Sequence, residues 1–216
     1  MRTAFQPSLL DAAEGPDTTE GWSLGALADG LERVDLAHGA WLDVRRGWLR
    51  GSAGVMAHLV GTVPWRAEER RMYDRVVTVP RLLAWYGPEE PWPHPALTAA
   101  REALDAHYGL PAPQRVASAG LCWYRDGRDG VAWHGDRIGR SRHEDVLVGI
   151  LSVGEPRALA LRPVDGGGPT LRFPLGHGDL LVMGGSCQRT WDHCVPKTAR
   201  PVGPRISVQL RPRGVA

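Results

Sequence analysis

Apolar and polar residues alternate with a period of two through much of the C-terminal half, most regularly at 205–211. Ile206, Val208 and Leu210 fall on one side of an extended segment there, and Arg205, Ser207, Gln209 and Arg211 on the other, since successive strand side chains point to opposite faces. From Val116 onward, short β-like segments alternate with Gly/Pro turns, and Asp165-Gly166-Gly167-Gly168 reads as a hairpin turn or loop. Upstream the period changes to that of a helix. Pro95 opens it, Leu97, Ala100, Leu104 and Tyr108 form one face, and Gly109 ends it. A shorter helix is expected from a Ser52 cap through Val60. The pattern predicts a mainly β chain with flanking helices, arranged as a jelly roll, or double-stranded β-helix. Three parts are expected: an extension over 1–30, recognition elements packed on the core over 31–115, and a catalytic core over 116–213.

Two arginines on the polar face of an otherwise oily strand need a counter-charge, because an unpaired buried guanidinium is prohibitively costly. A dicarboxylate suits that face. Metal-ligating residues lie nearby. His134-Gly135-Asp136 offers an imidazole and a carboxylate on one side of an extended segment, and His193 completes a two-histidine, one-carboxylate set. Such a set leaves coordination positions open and suits non-haem Fe(II).

The HxD spacing occurs three times, at His134/Asp136, His143/Asp145 and His177/Asp179. Several strands must separate the pair from a distal histidine, which at typical strand and turn lengths needs roughly 40 residues or more. His177 is too close to His193 and reads as a turn before the apolar run 180–183, while His143 falls in the polar run 140–145. His134 follows a candidate strand at 121–125 and is the best of the three.

At these residues the chain resembles the AlkB-type Fe(II)/2-oxoglutarate dioxygenases, over about 79–213. The run 80–87, with Trp85 and Tyr86, is similar to the family's substrate-side hairpin. Residues 123–127 resemble its asparagine-x-tyrosine strand and turn, 133–136 its HxD, and 191–196 its distal histidine. The runs 151–154 and 178–183 resemble framework strands. The resemblance implies that His134, Asp136 and His193 bind Fe(II). It places Arg205 on the distal carboxylate of the cosubstrate 2-oxoglutarate, Arg211 beside the carboxylate nearest the metal, and Tyr124 as a phenol donor to the same molecule. Trp85 or Tyr86 is expected to stack on a flipped base.

Three departures stand out. Cys122 and Ser207 replace two asparagines of the family pattern, and Ser207 keeps hydrogen-bonding capacity where a thiol is a poor substitute for an amide. After the HxD, where several repair members carry acidic residues that read the base, this chain has Arg137-Ile138-Gly139-Arg140. Arg137 is carried forward as a substrate-side residue.

Composition adds bounds. The chain has 216 residues, 43% of them hydrophobic, enough for one catalytic domain with a full core. A net charge of +2 is too mild to argue nucleic-acid binding by itself. Lys197 is the sole lysine, so positive charge is nearly all arginine, clustered at 45–50, 66–75 and 137–142. The three cysteines show neither paired nor zinc-ligand spacing and are expected to be reduced thiols. Most of the nine tryptophans are expected in the core. No apolar run approaches ~18 residues, which predicts no membrane span, and no early segment resembles a secretory signal, which predicts a cytoplasmic protein, expected to be a monomer.

The leading expectation is O₂- and 2-oxoglutarate-dependent demethylation of N-alkylated bases in DNA or RNA, releasing formaldehyde. The same chemistry on a protein or small molecule is the alternative, supported by the basic run after Asp136. A binding module without turnover is the third reading, and the complete triad argues against it.

Overall fold

The computed structural model describes residues 21–72 and 75–215. In chain order its elements are β1 (Ser23–Leu24), β2 (Leu31–Asp35), β3 (Ala40–Arg45), β4 (Leu49–Arg50), α1 (Ser52–Thr62), β5 (Arg66–Met72), β6 (Arg75–Tyr86) and α2 (Pro95–His107). Then come β7 (Val116–Tyr124), β8 (Val131–His134), β9 (Val148–Gly154), β10 (Arg157–Pro163), β11 (Leu171–Leu175), β12 (Leu180–Gly185), α3 (Cys187–Thr190), β13 (Trp191–Val195) and β14 (Arg205–Pro212).

An eight-stranded sheet, ordered β2-β3-β12-β9-β14-β7-β6-β5, faces a four-stranded one, ordered β11-β10-β13-β8. Leu42, Val148, Ile150, Leu181 and Met183 of the larger sheet meet Leu159, Leu161, Leu175 and Trp191 of the smaller one. On the far side of the larger sheet, Ile206, Val208, Leu210, Leu151 and Val182 pack under α1 and α2 through Val55, Leu59, Leu97, Ala100 and Leu104. The two-residue period of β14 thus sorts its side chains between two interiors. Its apolar set lies under the helices, and its polar set lies between the sheets. Each buried leucine contributes about 1.5–3 kcal/mol of burial. The helix layer sits close: a Cβ at Gly149 would stand 2.9 Å from Leu104 Cδ1.

Helix α2 starts as the sequence predicts, with Pro95 in its first turn and His94 Nδ1 accepting from the Ala96 amide at 3.0 Å. At α1 the expectation is corrected. Gly51, in the left-handed region at φ 67°, is the capping residue, and Ser52 is already helical and makes no side-chain cap. A glycine adopts that conformation without steric penalty, so the chain enters the helix one residue earlier than a serine cap would allow. The helix then runs to Thr62 rather than Val60.

Elements from 31–115 are continuous with the core. They supply β2, β3, β5 and β6, half of the larger sheet. Strand β3 pairs with β12 from Ala40↔Gly185 to Arg45↔Leu180, and β6 pairs with β7 from Leu82↔Trp123 to Tyr86↔Ala119. Of the extension at 1–30, residues 1–20 lie outside the described residues.

Candidate active site

Strands β8 and β13 are antiparallel neighbours, and His134 and His193 are directly opposed across them. Their ring centroids are 4.3 Å apart. Asp136, two residues beyond His134, is 5% exposed, and its backbone carbonyl accepts a hydrogen bond from the Ser141 hydroxyl. One donor atom from each of His134, Asp136 and His193 lies within 4.8 Å of the others. His134 Nδ1 is 2.9 Å from the Ala132 carbonyl, which makes that nitrogen the proton donor and leaves the Nε2 lone pair facing the site. Burial, then the neighbouring His134, pushes the His193 imidazole down to about 4, so His193 keeps a lone pair to give. Two imidazoles and a carboxylate converging from one side match the facial donor set of non-haem Fe(II).

The other two HxD pairs are occupied elsewhere. His143 is exposed just past the turn 140–142. His177 Nδ1 accepts from the Gly154 amide, and Asp179 is held by Arg46 Nη1 at 2.6 Å and the amides of Gly47 and Gly176, each at 2.9 Å.

The polar face of β14 forms the floor. Arg205 is 1% exposed. Its Nε donates to Ser152 Oγ at 2.8 Å, while its Nη1 is buried with no hydrogen-bond partner among the described residues. Burial weakens its hold on the proton, and the facing Tyr124 opposes that shift. Two guanidiniums lie near the buried Tyr124 ring, Arg205 at 5.5 Å and Arg157 at 5.8 Å from its centroid. Burial also pushes the Tyr124 phenol up, so it remains a neutral donor. Arg157 donates to the carbonyls of Asp126, Asp129 and Pro196 at 3.0, 2.9 and 2.8 Å. Those dipoles leave its charge uncancelled beside Arg205. The floor is therefore positive, buried and short of one acceptor, which fits a carboxylate.

Further along the face, Gln209 Nε2 donates to Ser207 Oγ at 2.7 Å, and Cys122 Sγ lies 3.7 Å from Gln209 Oε1. The glutamine amide thus lies between the two positions where the family pattern has asparagines. Arg211 places Nε and Nη2 each 3.3 Å from Asp136 Oδ2, joining this floor to the histidine cluster. Three side chains converge over Gly120. A Cβ there would stand 2.8 Å from Arg211 Nη1, 3.3 Å from Gln209 Oε1 and 3.6 Å from Trp85 Cε3.

The structure separates the two aromatic candidates of β6. Trp85 is opposite Gly120, on the face of the site, and is 52% exposed. Tyr86 is opposite Ala119 and packs on the helix-side core, so it does not stand at the site. Trp65 is used structurally, its Nε1 donating to the Leu59 carbonyl at 3.1 Å and its ring 5.4 Å from Trp123. Arg137 folds away over Gly135 to Asp192, Nη2 to Oδ1 at 2.8 Å. Arg140 is engaged by Glu144 at 2.7 Å and by the Pro113 carbonyl. Ser152, which fixes Arg205, was not singled out in the sequence. Its only sign there is a hydroxyl in the apolar run 147–153.

The chain belongs to the 2OG-Fe(II) oxygenase superfamily, whose family model matches residues 57–211. Within that class it is AlkB-like. It is 31% identical to alpha-ketoglutarate-dependent dioxygenase alkB homolog 3 of Bos taurus, over 86% of this chain and 69% of that protein. It is 27% identical to the DNA oxidative demethylase ALKBH2 of Arabidopsis thaliana, over 85% of this chain and 70% of that one. In fold it is similar to the solved structure of OsALKBH1, with a TM-score of 0.58 at 14% identity, covering 84% of this chain and 100% of that chain. The chain is accordingly an Fe(II)/2-oxoglutarate-dependent dioxygenase, with the donor set and the anion floor that those two partners require.

Proposed function

We propose that this enzyme oxidatively demethylates N-alkylated bases in DNA or RNA, with His134, Asp136 and His193 holding Fe(II). The observation that carries the reading is the placement of Trp85. An exposed indole stands on the same face as the triad-linked Arg211, across the bare Cα of Gly120. Flat aromatic surface beside a metal site suits a flipped base, and such stacking contributes ~1–3 kcal/mol per base. The names of the alkB homolog 3 and ALKBH2 relatives support the same class of reaction.

When bound, the iron supplies O₂ activation coupled to conversion of 2-oxoglutarate to succinate and CO₂, so that one oxygen atom reaches the N-methyl carbon. The hydroxylated carbon then leaves as formaldehyde, returning the N–H. The chain's own part is positional. Arg205 would offer its buried Nη1 to the distal carboxylate, and Ser152 fixes the guanidinium through Nε. Tyr124 adds an uncharged phenol donor. Arg211 balances the charge of Asp136 and of the carboxylate nearest the metal, and Ser207 with Gln209 lines the floor between the two arginines. The Ala132 carbonyl orients the His134 ring, and burial keeps His193 neutral with a lone pair to give.

One observation favours the second reading, in which a protein or small molecule is oxidised: Arg137 and Arg140 are committed to internal partners instead of forming a free basic track. Succinate and formaldehyde measured together, across N-methylated oligonucleotides, peptides and a substrate-free control, decide between the two. Formaldehyde stoichiometric with succinate on an oligonucleotide supports base demethylation. Coupled turnover on peptides or metabolites alone replaces it with the second reading.

A further inference from the structure

The backbone pairing that sets the distance between the two histidines is thin. Strand β8 is four residues long and lies at the edge of its sheet. It pairs with β13 at His134↔His193 and Val131↔Val195, with an irregularity between them. The facing imidazoles themselves supply no attraction that would hold the strands together. Other contacts must hold the two strands at ligating distance.

Such contacts lie on the opposite face of the smaller sheet. Because strand side chains alternate, the neighbours of the inward ligands point outward. Asp192, next to His193, has a side chain only 14% exposed and carries two arginines. Arg137, immediately after Asp136, donates to it at 2.8 Å, and Arg162, its direct cross-strand partner on β10, approaches to 3.7 Å. Arg162 also lies over an indole: its Cζ is 4.3 Å from the ring centroid of Trp133, the residue immediately before His134. A side chain at Gly135 would collide with the Arg137 guanidinium, so the glycine inside the HxD is what lets that arginine fold back onto the strand of His193.

We propose that Asp192 is a positioning residue for the metal centre, the hub of a clasp in which Arg137 and the Arg162–Trp133 stack bind the backbone of His134 and Asp136 to that of His193. Every member flanks a ligand or bridges two flanking residues, and none touches the reacting atoms. The clasp accounts for an arginine directly after the HxD: it serves the metal geometry, not the substrate. Partners of this kind typically change metal affinity by about 10- to 100-fold.

The inference rests on the triad as the iron site and is independent of the substrate, so its test needs none. Anaerobic calorimetry gives the Fe(II) affinity of the full chain, and the ligand-field absorption of bound Co(II) reports the donor geometry. Asp192→Asn keeps the shape and removes the charge. It should weaken Fe(II) binding roughly 10- to 100-fold and change the Co(II) bands, and Asp192→Glu should restore most of both. Arg137→Gln and Trp133→Leu, at partly exposed positions, should shift affinity in the same direction and carry the test if Asp192→Asn does not fold. Folded variants with wild-type Fe(II) affinity and wild-type Co(II) bands, even at a lowered unfolding temperature, would show an ordinary structural ion pair and overturn the proposal. His134→Ala is the control. Unchanged Fe(II) affinity there removes the triad assignment and the clasp with it, whereas loss there with no change at Asp192 rejects the clasp alone.

Discussion

Ser152 and Arg205 stand on adjacent strands of the larger sheet, joined by a 2.8 Å hydrogen bond from the guanidinium Nε to the serine hydroxyl. The bond turns the other edge of the guanidinium into the site, where Nη1 has no acceptor among the described residues. Arg205→Ala removes a charge-assisted contact of about 1.5–3 kcal/mol, so the 2-oxoglutarate requirement should rise roughly 10- to 150-fold. Arg205→Lys should recover part of it, lacking the planar fork. Ser152→Ala should give a smaller rise. Titration of 2-oxoglutarate against succinate formation measures all three, and an Arg205→Ala protein with unchanged requirement would make the floor a structural feature only.

Metal binding should divide the histidines cleanly. His134→Ala, Asp136→Ala and His193→Ala should each abolish 2-oxoglutarate turnover, since two ligands hold Fe(II) poorly. His143→Ala should change neither metal content nor turnover. His177→Ala should keep its iron while losing some stability, because His177 Nδ1 accepts the Gly154 amide hydrogen bond. Iron content of the purified variants is the measurement. Loss of iron in His177→Ala with retention in His134→Ala would reverse the assignment.

Trp85 and Tyr86 are neighbours in sequence and should behave differently. Trp85→Ala should weaken binding of a methylated oligonucleotide roughly 5- to 150-fold while uncoupled succinate formation persists. Tyr86→Ala should instead lower the unfolding temperature, with affinity of the folded protein near wild type, because Tyr86 packs on the helix-side core. Binding titrations beside thermal melts separate the two. The reverse pattern would place the substrate on the other face of β6.

Gly120 tests the crowded mouth of the site. It has no positive φ, so alanine is tolerated by the backbone and should be neutral or slightly stabilising through the unfolded chain. Its Cβ would nevertheless stand 2.8 Å from Arg211 Nη1. Gly120→Ala should therefore raise the KM for 2-oxoglutarate several-fold without lowering the unfolding temperature. Unchanged kinetics would mean that Arg211 moves aside freely.

The sequence was most legible where chemistry and periodicity coincide within one element. Arg205, Ser207, Gln209 and Arg211 could be assigned to one face because alternation is local, and the face does lie between the sheets. The spacing argument against His177 likewise needed only strand lengths, and His143 was set aside by the polar run around it. What stayed hidden depended on pairing between distant segments. Nothing within 80–87 tells Trp85 from Tyr86, which are distinguished by their registration against Gly120 and Ala119. Arg137 read as a substrate-side residue because Asp192, its partner, lies 55 positions away. The helix entry at Gly51 was missed for another reason: serine is the better capping residue in general, and the left-handed backbone that excludes it is a tertiary outcome.

A carboxylate bound at Arg205 would couple cosubstrate binding to folding. A guanidinium 1% exposed, with no acceptor for Nη1 among the described residues and Arg157 near the same phenol ring, concentrates positive charge in the interior. A molecule that brings a carboxylate to that spot binds the folded chain and has no such site on the unfolded one. Mass action then stabilises the native state by about 2.7 kcal/mol at a concentration 100 times its Kd. 2-Oxoglutarate would then raise the melting temperature of the folded enzyme in addition to feeding its turnover.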